Sequence, residues 1–66
     1  MEFLRLPQVI EQTGLARSTI YKLMSSGDFP KSIPLTGRIV GWLKSEIQDW
    51  ICERIAMRDD FEQKNN

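Results

Sequence analysis

Arg17, Ser18, Thr19, Tyr21 and Lys22 fall within six consecutive positions, a dense set of hydrogen-bond donors with one aromatic among them. Ile20, Leu23 and Met24 follow i, i+3, i+4 spacing, so a helix through this stretch turns them to one side, with Leu15, and leaves the donors on the other. Such a face fits a DNA major groove. Arg and Lys reach guanine edges or phosphates there, and hydroxyls anchor the backbone. Tyr21 can stack on a sugar or bond a phosphate, or it can close the edge of a core. Taken alone, the stretch fits an ordinary solvated helix face equally well.

Other chemistries have little to work with. The chain has no histidine and one cysteine, Cys52. The commonest general base is therefore missing, and one thiol makes neither a zinc site nor an internal disulfide. Cys52 reads as a plain free thiol suited to a reducing, cytoplasmic setting. Glu46, Asp49 and Glu53 share one side of a helical stretch, and a solvated acidic face is the simplest account of them. Trp42 and Trp50 resemble base-stacking platforms, but their spacing with Val40 and Ile47 marks them as core. No nucleophile–base pair or phosphate loop is present, so neither an enzyme nor a cofactor or metal is expected.

The 66 residues make one domain, and 41% of them are hydrophobic, enough for one compact core. A chain this short presents a surface more readily than it encloses a deep pocket. Nothing in it approaches membrane-spanning length. Formal net charge is zero, but the charge is segregated. Residues 14–45 set Arg17, Lys22, Lys31, Arg38 and Lys44 against Asp28, a balance of +4; residues 46–66 carry −3 and residues 1–13 carry −1. A basic middle is a candidate electrostatic footprint for a polyanion.

The elements that would position these groups can be read in order. Residues 1–5 form an extended lead-in. Pro7 suits a first helical turn and Gly14 a left-handed stop, giving helix 1 over about 7–13. Helix 2 runs over about 17–26 and ends at Ser25-Ser26-Gly27. Pro34 confines residues 31–35 to an edge strand. Thr36-Gly37 is the turn, and residues 38–42 return as a second strand with Arg38 near the tip. Leu43, Ile47, Trp50, Ile51 and Ile55 form a core stripe on helix 3, about 44–57, with Leu43 as its N-cap. The polar residues 58–66 are expected to form a frayed or flexible tail. The fold class is mainly α with a small β-hairpin, a winged helix-turn-helix of three helices plus wing.

Arg5-Leu6-Pro7-Gln8-Val9, Thr13 to Tyr21, Gly27-Asp28-Phe29-Pro30-Lys31, Gly37 to Trp42 and Trp50-Ile51 occur in an order and spacing that resembles the AlpA family of phage-type regulators. These are small MerR-like winged-helix DNA-binding proteins, and the resemblance covers residues 4–57. It implies double-stranded DNA as partner and a role as transcriptional regulator or as an excisionase that bends DNA and directs an integrase. Carried over by position, the DNA contacts would be Arg17, Ser18, Thr19, Tyr21 and Lys22 on helix 2, and Arg38 with Lys31 and Thr36 on the wing. Many relatives have Ser where this chain has Ala16, the expected N-cap of helix 2, and Ala there forgoes about 1 kcal/mol of capping.

A single small module buries only about 600–1,000 Å² on DNA, so further copies on adjacent sites are expected. The rival from another class is a protein-interaction module that does not bind DNA. Salt separates the two: phosphate contacts weaken steeply with ionic strength, and an apolar protein interface does not.

Overall fold

The first two helices are set by their ends. Arg5 precedes α1 (Leu6–Thr13) in extended conformation, and its N–H donates to Gln8 Oε1 at 2.9 Å, half of a capping box. Gly14 closes α1, its N–H donating to the Ile10 carbonyl at 2.8 Å. Thr13 then holds the turn: its hydroxyl donates to the Val9 carbonyl at 2.8 Å and accepts from the Leu15 N–H at 3.2 Å. The second helix, α2 (Arg17–Ser25), ends in a Schellman motif. Gly27 takes φ 80°, its N–H donates to the Met24 carbonyl, and the Asp28 N–H reaches back to the Leu23 carbonyl at 2.8 Å.

The computed structural model describes the backbone of residues 1–64 and side chains as far as Phe61. It orders the chain as β1 (Phe3–Leu4), α1, α2, β2 (Ile33–Thr36), β3 (Ile39–Leu43) and α3 (Lys44–Lys64). The winged helix-turn-helix class is what the structure has: three helices with a small antiparallel sheet. The sheet has three strands, in the order β1-β3-β2. Phe3 pairs with Leu43 and Leu4 with Trp42, so the expected extended lead-in is an edge strand and β3 is central. A strand of two residues shows no periodicity, so the sequence by itself reads only as an extended lead-in.

Three boundaries also differ. The hairpin turn is Gly37-Arg38, one residue later than expected, so Arg38 lies in the turn and does not begin β3. Gly37 supplies the positive φ of 53° there. Pro34 faces Val40 while Thr36 faces Ile39, so β2 spends one extra residue, Leu35, in a bulge that moves the turn along. β3 runs one residue further than expected, to Leu43, which directly precedes α3. Finally, α3 continues helically to Lys64 past the expected end near Met57. No proline or glycine follows Gly41 to stop it, and Glu, Arg, Ala, Met, Gln and Lys all favour helix. Residues 65–66 of the expected tail lie outside the described residues.

Leu4, Val9, Ile20, Phe29, Trp42 and Ile47 are the buried core, one or more from nearly every element. Leu6, Ile10, Leu15, Leu23, Met24, Val40, Trp50 and Ile51 pack against it. Two members of the expected α3 stripe leave it: Leu43 lies outside this cluster, and Ile55 is 45% exposed because the helix has by then passed the end of the sheet and helices it packs on.

Candidate nucleic-acid interface

Ile20 is fully buried and Leu23 and Met24 are half-buried, which fixes the roll of α2. Arg17, Ser18, Thr19, Tyr21 and Lys22 are then left exposed, as the helical spacing predicted. The Arg17 guanidinium stands 5.8 Å from the Tyr21 ring centroid, within cation–π range. Tyr21 is 39% exposed, so its ring is partly open to solvent. Ala16 is the N-cap, extended at φ −72° and ψ 156°, and offers no side-chain acceptor. The first intrahelical bond of α2 is from the Ile20 N–H to the Ala16 carbonyl, so the preceding first-turn N–H groups have no intrahelical acceptor.

The loop after α2 places Lys31. The Trp50 indole donates to the Asp28 carbonyl at 2.8 Å and the Trp42 indole to the Pro30 carbonyl at 3.1 Å. Phe29, buried between these two pinned carbonyls, meets Trp50 edge-on with ring centroids 4.9 Å apart. Both tryptophans are thus engaged in holding this loop, Trp42 fully buried and Trp50 half-buried under Arg54 at 4.9 Å. Lys31 emerges from the loop beside α2: a shallow depression is lined by Tyr21, Met24, Ser25, Lys31 and Ser32. Ser25 and Ser32, not singled out by sequence, belong to this surface through the packing of the loop, which no local pattern shows.

Thr36 and Arg38 form a separate group at the hairpin end, flanking Gly37, and both are exposed. Among the described residues, Arg17, Lys22, Lys31 and Arg38 make no ion pair. Lys44 differs. Its ammonium lies 3.3 Å from the Glu2 carboxylate and its N–H donates to the Glu2 carbonyl at 2.9 Å. The pairing of β1 with β3 brings these two together, and so removes one cation from the basic stretch. Arg58 is likewise held by Asp59, at 3.0 Å.

The acids gather on α3. Glu46, Asp49 and Glu53 line a groove with residues 27–30, Trp50 and Arg54. Among the described residues no group of His, Cys, Asp or Glu is placed to hold a metal. Cys52 is exposed and free. No helix among the described residues is long and apolar enough to cross a membrane.

Residues 2–55, which hold the sheet, α1, α2 and the first part of α3, match the family described as Prophage CP4-57 regulatory protein (AlpA). The chain belongs to the AlpA family. Over 63 residues it is 40% identical to the DNA-binding transcriptional activator AlpA of Escherichia coli (strain K12), covering 86% of this chain and 90% of that protein. Over 56 residues it is 50% identical to an uncharacterized protein, ORF88, of Enterobacteria phage P4, covering 85% of this chain and 64% of the phage protein. The resemblance drawn from sequence motifs is therefore a family membership, and the AlpA match takes in every element that carries the α2 face and the wing.

Proposed function

We propose that this AlpA-family chain is a sequence-specific DNA-binding regulator of a prophage or integrative element, and a binding protein, not an enzyme. The observation that carries this is a set of exposed cations left without acidic partners among the described residues. Arg17, Lys22 and Lys31 stand exposed and without acidic partners on and beside α2, and Arg38 does so at the wing tip. In the proposed complex α2 lies in the major groove. Arg17 and Lys22 reach base edges or phosphates, Ser18, Thr19 and Tyr21 fix the helix on the backbone, and the unbonded first-turn N–H groups of α2 receive a phosphate. Lys31, Thr36 and Arg38 hold the adjacent backbone or minor groove. The E. coli relative, described as a DNA-binding transcriptional activator, supports the same partner. A second role follows from the same chemistry. If the complex bends DNA between integrase sites, the protein serves as an excisionase; if its site overlaps a promoter, it regulates transcription. The setting is the cytoplasm, where the DNA is.

Amide-shift titration of the labelled protein with a short arbitrary duplex at low salt tests the proposal, because non-specific contacts use the same phosphate-binding face. Shifts concentrated at residues 17–22, 31 and 36–38 that fade as salt rises are expected. Shifts confined to α3, or no shifts, would refute DNA binding and turn attention to a protein partner.

A further inference from the structure

β3 is an uninterrupted apolar run, Ile39-Val40-Gly41-Trp42-Leu43. Such a run is the pattern of a strand covered on both faces; a strand with one face in water alternates with polar residues. The chain covers one face of β3 with its core and the other only in part: on that outer side Gly41 is buried, Leu43 and Ile33 are half-buried, and Ile39 is exposed. Val40 and Trp42 point to the core, so alternation sends Ile39, Gly41 and Leu43 to the other side. The strand pairing adds Phe3 opposite Leu43, and Ile33 opposite Gly41. Leu35, the bulged residue, lies over Gly41: a Cβ built there would meet Leu35 Cδ1 at 3.0 Å. None of Phe3, Ile33, Leu35, Ile39 or Leu43 packs against the core cluster. Phe3, Leu35 and Ile39 are 41%, 38% and 40% exposed.

We propose that this outer face of the three-stranded sheet is where two copies of the chain meet when they are held side by side on DNA. The inference rests on the DNA-binding function proposed above. Two arguments select the occupant. The first is position. Thr36 and Ile39 close the same hairpin turn that carries Arg38, so the apolar face begins where the proposed DNA contact ends, and whatever covers it sits on the same duplex. A second copy of this chain meets that condition by its own DNA contacts. The second is size. The face offers on the order of 300 Å² of apolar surface, a typical functional patch for a small protein. Two copies would bury about 600 Å², roughly half of what a stable free dimer needs. The contact is therefore too small to hold a dimer in dilute solution. It becomes effective when DNA raises the local concentration of one copy beside another.

The test uses the whole chain with Phe3→Thr, Ile39→Thr and the double variant. Threonine keeps the β-branched preference for strand, and both positions are exposed. Amide spectra of the free proteins check that the fold is kept. Binding is measured on two arbitrary duplexes at low salt, one of about one helical turn and one of about four. The wild-type chain should fill the longer duplex with cooperativity on the order of tenfold. The double variant should fill it without cooperativity while its affinity for the shorter duplex is unchanged. Unchanged cooperativity in the double variant overturns the proposal. So does a parallel loss of affinity for the shorter duplex, which would make the face a DNA contact. If the wild-type chain binds the short duplex and fills the long one without cooperativity, the proposal fails while DNA binding stands. Binding to neither duplex defeats the DNA function itself, and the proposal with it. A dilution series of the free protein gives an independent reading. Concentration-dependent amide shifts at residues 3, 33, 35, 39 and 43 are expected; shifts centred on α3 would place self-contact elsewhere and overturn it.

Discussion

Salt dependence should separate the cations proposed to face DNA from the one held in an ion pair. Each phosphate neutralised on a duplex contributes about 0.9 to the slope of log affinity against log salt. Arg17, Lys22, Lys31 and Arg38 make no ion pair among the described residues, so four contacts predict a slope near −3.6. Raising monovalent salt from about 50 to about 200 mM should then weaken non-specific binding by roughly 150-fold. Arg38→Ala or Lys31→Ala should each lower the slope by about 0.9 and weaken binding across all sequences alike. Lys44→Ala is the discriminating control. Composition alone counts Lys44 in the basic stretch, but the structure ties it to Glu2 at 3.3 Å. Its removal should leave the slope unchanged and cost at most about 1 kcal/mol of stability, since this pair is solvent-exposed. Fluorescence anisotropy with a labelled arbitrary duplex over a salt series measures all of these. A wild-type slope shallower than about −1, or a Lys44→Ala slope reduced as much as that of Arg38→Ala, would show that pairing state does not identify the DNA-facing cations.

Three further outcomes follow from the local geometry. Ala16→Ser should raise stability by about 1 kcal/mol, seen as a higher thermal midpoint, because the backbone already has N-cap geometry and lacks only the acceptor. Gly41→Ala should destabilise by roughly 1–3 kcal/mol in denaturant titration: the new methyl would lie 3.0 Å from Leu35 Cδ1, which can shift, and 3.2 Å from the Leu4 carbonyl, which belongs to the paired β1. Trp50→Phe should cost about 1 kcal/mol by removing the donor to the Asp28 carbonyl, and should move the amide resonances of residues 28–31 more than those of α1.

What the sequence made legible is what local pattern controls. Ile20, Leu23 and Met24 sit at helical spacing, and that spacing was enough to place Arg17 to Lys22 outward without any tertiary information. Gly14 and Gly27 mark helix ends through backbone conformations that any packing must respect. The parts that differed depend on partners distant in sequence. Phe3 and Leu4 are a strand only because Leu43 and Trp42, some forty residues on, supply the ladder. The turn sits at Gly37-Arg38 because the bulge at Leu35 consumes a residue, and a bulge leaves no period in the sequence. Lys44 counted as a free cation until β1 brought Glu2 to it. In the interface, the α2 donors were visible as a local pattern, whereas Ser25, Ser32 and the seating of Lys31 depend on two indoles pinning the 28–30 loop.

A formally neutral chain can still present a basic surface, and the way it does so bears on how it would act. The acids are concentrated on α3, and Asp59 lies fifteen residues beyond Lys44, about 22 Å along the helix axis. That exceeds the Debye length of about 8 Å at physiological ionic strength, so the far acids are screened from the sheet end of the molecule. Four cations proposed to meet phosphate release few counterions, and non-specific affinity in the proposed complex is correspondingly low. With a small electrostatic term, a larger share of the binding energy must come from base contacts of the α2 face, which raises the ratio of specific to non-specific binding. In the proposed complex the same shortage would make one copy hold poorly even on its own site. Adjacent copies joined through the outer face of the sheet would supply the missing affinity without adding charge, so that selectivity and occupancy are set by two different surfaces of one small fold.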